Sequence, residues 1–428
     1  MSHPQRLGGR HRANARFFLG RCPRPPFFFS HRDTPSAHPL GRNNTEVDVN
    51  HAIPLAHGVL EVAVTRASLP LEALCGFASR RNPRRPFLFV SRVLGRHVPT
   101  DPRVMAETEA ALAALLDPAV PGPVTFLAMA ETAVGLGEGV FSAWLTTSGR
   151  TDALFLPSTR YRLSAPVLLT FEERHSHAID HLLYQPARVA DRAVLAATQT
   201  LVLIDDEAST GATFAALVEA CRPHMPALAR VVVVTLTDWR SPEARDRLRD
   251  TLAPIEVSAI SLLEGRFSFT PNGAPPPALP NVVGTGCLKD HLLGTGGARL
   301  GLRRPRRLPA ALVAETARPG ERILVLGTGE FVYPPSLLAR HLAAQGARVD
   351  FQATTRSPIL VGPTLPSVRE FPDAYEDQIP NYLYGVQPEA YDRILVGYET
   401  PPHTAQASLL ADLKARALHF PPLEDDGP

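Results

Sequence analysis

Short apolar runs, each followed by a polar or glycine-bearing turn and then by apolar positions at helical spacing, recur from about Glu46 onward. "VLEVAVT" alternates as a strand does, and "PFLFVSRVLGRHVP" predicts an apolar strand entering a turn at Gly95. "MAETEAALAALL" carries its apolar residues at helical spacing. "PVTFLAMA" predicts a strand, and "ETAVGLGEGVFSAWL" a loop running into a helix. Further along, "LVLI" and "RVVVVTLT" read as fully apolar strands on either side of the helix "TFAALVEACR". Strands so short and uniformly apolar are buried on both faces. Their alternation with helices predicts an α/β fold: a parallel sheet with right-handed crossovers.

The pattern breaks at "TPNGAPPPALP" (270–280) and resumes after "LRRPRRLP". "RILVLGTGEF", "RVDFQATT" and "YDRILVGYET" then predict strands, and "PSLLARHLAAQG" a helix ending at Gly346. This is a second, smaller α/β domain. The expected division is an extension over 1–44, a first domain over 45–268, a Pro-rich linker over 269–283 and a second domain over 284–428. The extension is rich in Arg, Pro, His and Gly, with Asp33 as its one acid before Glu46, and has no lasting period. That composition fits a disordered extension or a mis-set start codon better than a transit-like or nucleic-acid-binding arm.

Composition changes this picture little. Net charge is +2, with 44% hydrophobic and 20% charged residues, so nothing global points to nucleic acid or membrane. Lys occurs only at Lys289 and Lys414, which reads as base bias toward Arg. Cys22, Cys75, Cys221 and Cys287 are scattered, as in a reducing compartment and unlike a zinc or disulfide framework. No apolar run reaches the ~18 residues of a membrane helix.

The candidate chemistry centres on "LVLIDDEASTGATF", Leu201 to Phe214. An apolar strand ends in adjacent carboxylates, and a small hydroxyl-rich loop opens onto a helix. Backbone amides of Ser209 to Thr213 at a helix N-terminus suit a phosphate, Gly211 allows close approach, and Ser209, Thr210 and Thr213 add hydroxyl donors. Asp205 and Asp206 would repel phosphate; they suit vicinal hydroxyls and Mg²⁺. Phosphate beside diol-binding acids describes a 5-phosphorylated ribose.

The thirteen-residue run "LVLIDDEASTGAT" resembles the 5-phosphoribosyl 1-pyrophosphate (PRPP) motif of type I phosphoribosyltransferases. "FLAMAETAVGLG" (126–137) stands where such enzymes place a pyrophosphate loop, and "SAPVLLTFEERHSHA" (164–178) where they place a mobile catalytic loop. "ATTRSPI" (353–359) carries T-R-S-P. Together these resemble the proteins in which an orotate phosphoribosyltransferase-like domain precedes a TRSP domain. That family is associated with tellurite-resistance and stress gene clusters and is thought to make a nucleoside-like metabolite.

The resemblance implies a bacterial cytosolic Mg²⁺-dependent transferase. Its substrates would be PRPP and a nucleobase-like acceptor, with pyrophosphate released. No membrane or nucleic-acid partner is expected, and a homodimer is left open. The implied PRPP-binding residues are Glu207, Ala208, Ser209, Thr210, Gly211, Ala212 and Thr213, with Glu131, Thr132 and Arg160. Asp205 and Asp206 are the expected catalytic and metal-holding acids, with Glu173, His175 and His177 on the catalytic loop. Glu131 departs from the family habit of a basic residue there, and its charge needs Mg²⁺ or an Arg to offset it. Gly135 and Gly137 belong to the same expected loop.

Other positions are more open. Arg92, Arg96 and His97 around Gly95 read as a phosphate contact, part of a base-binding hood, or a surface turn. In the second domain Gly327, Gly329 and Glu330, and then Thr355, Arg356 and Ser357, follow predicted strands and read as pocket-lining motifs or plain turns. Because the linker separates them from the PRPP motif, loss of Arg356 is expected to spare PRPP binding. The polar segment from Ser158 to Tyr184 is the expected lid. Two alternatives stand beside the transferase: a PRPP-sensing regulator without chemistry, and a main activity in the second domain with "ILVLGTGEF" as a nucleotide or methyl-donor loop.

Overall fold

The strand Thr200–Ala208 shows how the sequence becomes a site. Leu201, Val202, Leu203 and Ile204 are fully buried, whereas Asp205, Asp206 and Glu207 at its carboxyl end are only half-buried. In this computed structural model, which describes residues 45–171, 181–275, 277–281, 283–294, 296–401 and 406–421, it is a central strand of a seven-stranded sheet. The spatial order is Thr45–Leu55, Gly58–Ala67, Glu256–Pro271, Arg230–Asp238, Thr200–Ala208, Val124–Ala128 and Ala153–Pro157. The last five run parallel, and the first two form an antiparallel hairpin on the edge of Glu256–Pro271.

Alternation along the strands sorts the core into two layers. Val202 and Ile204 pack with Phe126, Phe155 and the helices Pro102–Leu115 and Val134–Ser148, through Leu112, Phe141 and Trp144. Leu201 and Leu203 point the other way, to Phe214, Leu217 and Leu248 of the helices Ala212–Cys221 and Pro242–Leu252. The first helix starts earlier than its apolar spacing suggests. Asp101 accepts a hydrogen bond from the Arg103 amide, and Pro102 occupies the first turn, a standard helix start.

The C-terminal half holds a four-stranded, all-parallel sheet ordered Arg348–Ala353, Arg322–Gly327, Arg393–Tyr398 and Arg416–His419. The helix Tyr333–Ala344 covers it through Leu338, Ala339 and Leu342. Antiparallel hairpins fill in around the sheets: Cys75–Ser79 with Phe87–Ser91, Val167–Phe171 with His181–Tyr184, and Val368–Pro372 with Pro380–Tyr384. The Pro-rich break leaves the surface strand Glu256–Pro271 and is largely exposed, with nothing within 4 Å of where a Gly273 Cβ would stand. Among the described residues no helix is long and apolar enough to cross a membrane.

Both sheets belong to one compact unit. Arg340 pairs with Glu109 at 2.6 Å, and Arg306 with Glu138 at 2.6 Å. The backbone of Thr100 bridges that of Phe351. The glycines of "VGLGEG" serve this packing. The expected loop over Gly135 and Gly137 is instead the first turn of the helix Val134–Ser148. A Cβ on Gly135 would come within 2.6 Å of Val332 Cγ1, and one on Gly137 within 2.3 Å of Ala128 Cβ. The glycines read as part of a pyrophosphate loop thus mark close approach within and against a helix.

Candidate active site

A cleft of about 170 Å³ opens at the carboxyl ends of the central strands. It is walled by Asp205, Asp206, Glu207 and the loop Ser209, Thr210, Gly211 and Thr213. The loop ends on the helix Ala212–Cys221, whose first amides have no acceptor within the helix. Gly211 caps that helix at φ 82°, in the left-handed region, and its Cβ would meet Arg240 Cδ at 3.4 Å. A β-branched side chain there is expected to cost ~1–2 kcal/mol in backbone strain. Gly211→Val should therefore lower the unfolding free energy by about that much and weaken binding of a phosphate ester by roughly tenfold. Chemical denaturation and calorimetric titration with ribose 5-phosphate check the two parts.

Asp205 Oδ1 accepts a hydrogen bond from the Asp206 amide at 2.9 Å, which fixes one acid against the backbone. Glu207 is ion-paired with Arg85, from the turn between Cys75–Ser79 and Phe87–Ser91. Among the described residues no cluster of three or more His, Cys, Asp and Glu could hold a metal unaided. The adjacent carboxylates of Asp205 and Asp206 suit Mg²⁺, which takes one or two carboxylates together with substrate phosphates and water.

One strand over, the loop after Val124–Ala128 brings Glu131 and Thr132 into the same cleft. Glu131 is buried. Burial would push its carboxyl up, but Arg96, Arg356 and Arg160 outweigh that and hold it below the ordinary carboxylate range. The offset its charge requires is therefore supplied by arginine. Arg96 is 1% exposed and lies 3.0 Å from Glu131 Oε1. Arg96 also donates to the carbonyls of Gly329 at 2.6 Å and Thr354 at 2.8 Å, and to that of Glu131 itself. It is thus neither a surface turn residue nor a cleft wall; it clips three loops together from behind.

The C-terminal motifs divide. Thr355, Arg356 and Ser357 line the cleft. Glu330 is turned into the seam between the halves: its carboxylate accepts from Thr159 Oγ1 at 2.5 Å and from the Arg160 amide at 2.8 Å. Arg299 joins Glu330 at 3.3 Å and Glu399 at 2.9 Å. A Cβ on Gly329 would lie 2.7 Å from the Tyr161 hydroxyl. Gly327 ends its strand, and beyond it Glu330 and Phe331 line a second, smaller cleft together with Arg299 and Glu399. Arg356 meets Glu131 at 3.3 Å, so the expected separation between the two motifs is overturned: they share one cleft.

The segment expected as a lid is built into the fold at both ends. Ser158, Thr159 and Tyr161 are buried, and Leu169, Phe171 and Leu183 pack with Leu217 and Val218. Glu173, His175 and His177 lie outside the described residues. Arg160 reaches the cleft, as do Arg80, Arg85, His97 and His181. Three of these went unread in sequence: Arg80, Arg85 and His181 sit in or beside short hairpins with no motif. His181 is buried at 1% exposure, its Nδ1 3.1 Å from Ser158 Oγ, which also accepts from the Ala130 amide at 2.9 Å.

Burial, reinforced by Arg96, pushes His97 down to about 3. The folded protein keeps it neutral, whereas the unfolded chain protonates it below its ordinary value of 6.5. Stability is therefore lost as pH falls from 6.5 toward 3, by about 2 kcal/mol at pH 5. Replacing His97 by Gln should flatten this limb of the unfolding free energy between pH 7 and 5. An unchanged limb would mean that His97 is protonated in the fold.

Residues 74–266 match the phosphoribosyl transferase family, and residues 298–413 match the TRSP domain that lies C-terminal to it. No curated protein matches the chain. Among solved structures, the Giardia lamblia APRTase complexed with 9-deazaadenine is 17% identical, covering 37% of this chain and 80% of its own, with a TM-score of 0.26. The Trypanosoma brucei adenine phosphoribosyl transferase, in complex with AMP, pyrophosphate and ribose-5-phosphate, is 12% identical over 45% and 77%, with a TM-score of 0.31. A Staphylococcus aureus hypoxanthine phosphoribosyltransferase is 16% identical over 40% and 79%, with a TM-score of 0.24. With both matches in order along it, the chain carries a domain of the phosphoribosyl transferase family followed by the TRSP domain that lies C-terminal to it.

Proposed function

We propose that this protein is a PRPP-dependent phosphoribosyltransferase acting on a nitrogenous base. The observation that carries this reading is a single cleft holding the loop 209–213, the acids Asp205 and Asp206, and the Glu131–Thr132 loop. The 5-phosphate of PRPP rests on the amides and hydroxyls of Ser209 to Thr213. Asp205 and Asp206 hold the ribose diol and would hold Mg²⁺. When bound, the ion neutralises charge on the diphosphate. The C1–oxygen bond breaks with its electron pair leaving on pyrophosphate, and a ring nitrogen of the base forms the new bond to C1. Positive charge builds on the ribose ring in between, and the carboxylates beside it stabilise that state. His181, buried in the cleft wall, stands beside the expected His175 and His177 as a further histidine placed to exchange a proton with the base.

Residues 45–268 form the transferase domain and 284–428 the TRSP domain in this reading, joined by the linker over 269–283. The family resemblance supplies the setting: a cytoplasmic stress or tellurite-resistance pathway that makes a nucleoside-like metabolite. The test is a panel of purine, pyrimidine and carboxylated bases with PRPP and Mg²⁺, read by pyrophosphate release. Release with at least one base is expected. Tight PRPP binding without release from any base would instead favour the sensing regulator.

A further inference from the structure

One basic residue of the cleft comes from the other half of the chain. Arg356 follows the strand Arg348–Ala353, and its side chain is 12% exposed on the cleft wall. Its Nε meets Glu131 Oε2 at 3.3 Å, and its guanidinium lies 5.5 Å from the centre of the Tyr161 ring. Tyr161 stacks on Tyr375 at 4.1 Å, so the platform under Arg356 is itself fixed from both halves. Glu131 stands between Arg96 at 3.0 Å and Arg356 at 3.3 Å. One carboxylate between two guanidinium groups leaves net positive charge. Arg96 directs its hydrogen bonds inward, to Glu131 and to the carbonyls of Gly329 and Thr354, and does not line the cleft. The surplus charge therefore faces the cleft through Arg356.

Its position along a bound substrate follows from the sheet. Val124–Ala128 and Thr200–Ala208 are parallel neighbours, with Ala128 beside Ile204. A ligand with one phosphate on the loop 209–213 and its sugar over Asp205 and Asp206 extends toward the next strand end, where Glu131 and Arg356 stand. Among the described residues, Phe214 is the one phenyl, phenol or indole ring lining the cleft, and it lies on the loop side. Among the described residues, the Glu131 end thus offers a cationic wall with no such lining ring against which a base could stack.

We infer that Arg356 binds the diphosphate of PRPP, so that the TRSP domain completes the phosphoribosyl-transfer site from outside the transferase domain. This rests on the reading of the cleft as a PRPP site. Thr355, which donates a hydrogen bond to Glu131, and Arg96 are the positioning residues that hold Glu131 and hence Arg356 in place.

The test uses the full chain with Arg356→Gln, which keeps a polar partner for Glu131 and loses the charge, and Arg356→Lys, which keeps the charge. Binding of Mg²⁺-PRPP, Mg²⁺-pyrophosphate and ribose 5-phosphate is measured by calorimetry. Arg356→Gln is expected to weaken PRPP and pyrophosphate by roughly tenfold or more, with ribose 5-phosphate within twofold and Arg356→Lys between Gln and the parent. A readout on the unsubstituted protein covers a Gln variant that fails to fold: phenylglyoxal modification of Arg356, followed by peptide mass spectrometry, should be slowed by Mg²⁺-pyrophosphate and not by ribose 5-phosphate. Unchanged pyrophosphate affinity, equal weakening of all three ligands, or modification indifferent to pyrophosphate would each overturn the assignment and leave Arg356 as a seam residue. Parent protein that binds none of the three ligands would overturn the transferase reading itself.

Discussion

Replacing both Asp205 and Asp206 by Asn is expected to lower PRPP-dependent pyrophosphate release about a thousandfold while unfolding stays cooperative. The two acids stand at the carboxyl end of a strand whose preceding residues, Leu201 to Ile204, are fully buried, so the amides inherit a rigid position. They keep the size of the carboxylates and lose the charge, which is what a cationic ribose ring and a divalent ion require. Little stability should follow the change, because Asp205 and Asp206 are half-buried at the cleft rim. Steady-state turnover and chemical denaturation measured on the same preparation separate these effects. Turnover within tenfold of the parent would remove the acids from the chemistry.

The second large effect is on stability. Arg96→Met should cost about 3 kcal/mol or more, since it strips hydrogen bonds from buried acceptors without giving them water. Its partners are the Glu131 carboxylate and the main-chain carbonyls of Glu131, Gly329 and Thr354. Most of these acceptors are carbonyls that no side-chain substitution removes. Adding Glu131→Gln to Arg96→Met should therefore recover only a small part of the loss. Urea unfolding of both variants tests this, and a single-variant loss under ~1 kcal/mol would show that Arg96 is dispensable.

How far the site could be read in advance depended on how local each part is. The strand Thr200–Ala208, its acids and the following loop lie within fifteen consecutive residues from Thr200 to Phe214, so hydrophobic run, charge and turn chemistry all speak at once. The parallel α/β sheets were legible for the same reason: each buried strand is a short apolar run. The strand Glu256–Pro271 was missed because it is half-exposed and mixes Ser, Glu and Arg with its apolar residues. The role of Arg96 could not be read, since an Arg beside a Gly looks alike whether it meets water or three buried carbonyls. Gly135 and Gly137 misled in the other direction, because absence of a side chain serves a tight helix contact as well as a loop. The meeting of Glu131 with Arg356 depends on tertiary packing across both sheets, and no local pattern encodes it.

The contact between Gly135 and Val332 carries a consequence for how such a protein can change over generations. The two residues belong to different halves, and a single methyl group at position 135 would reach within 2.6 Å of the Val332 side chain. Enlargement of one therefore demands shrinkage of the other, and the same reciprocity binds Glu109 to Arg340 and Glu138 to Arg306. Neither half can be traded for a distant counterpart by recombination without breaking this matched set. Carrying both on one polypeptide keeps the matched partners inherited as a pair and made in equal number.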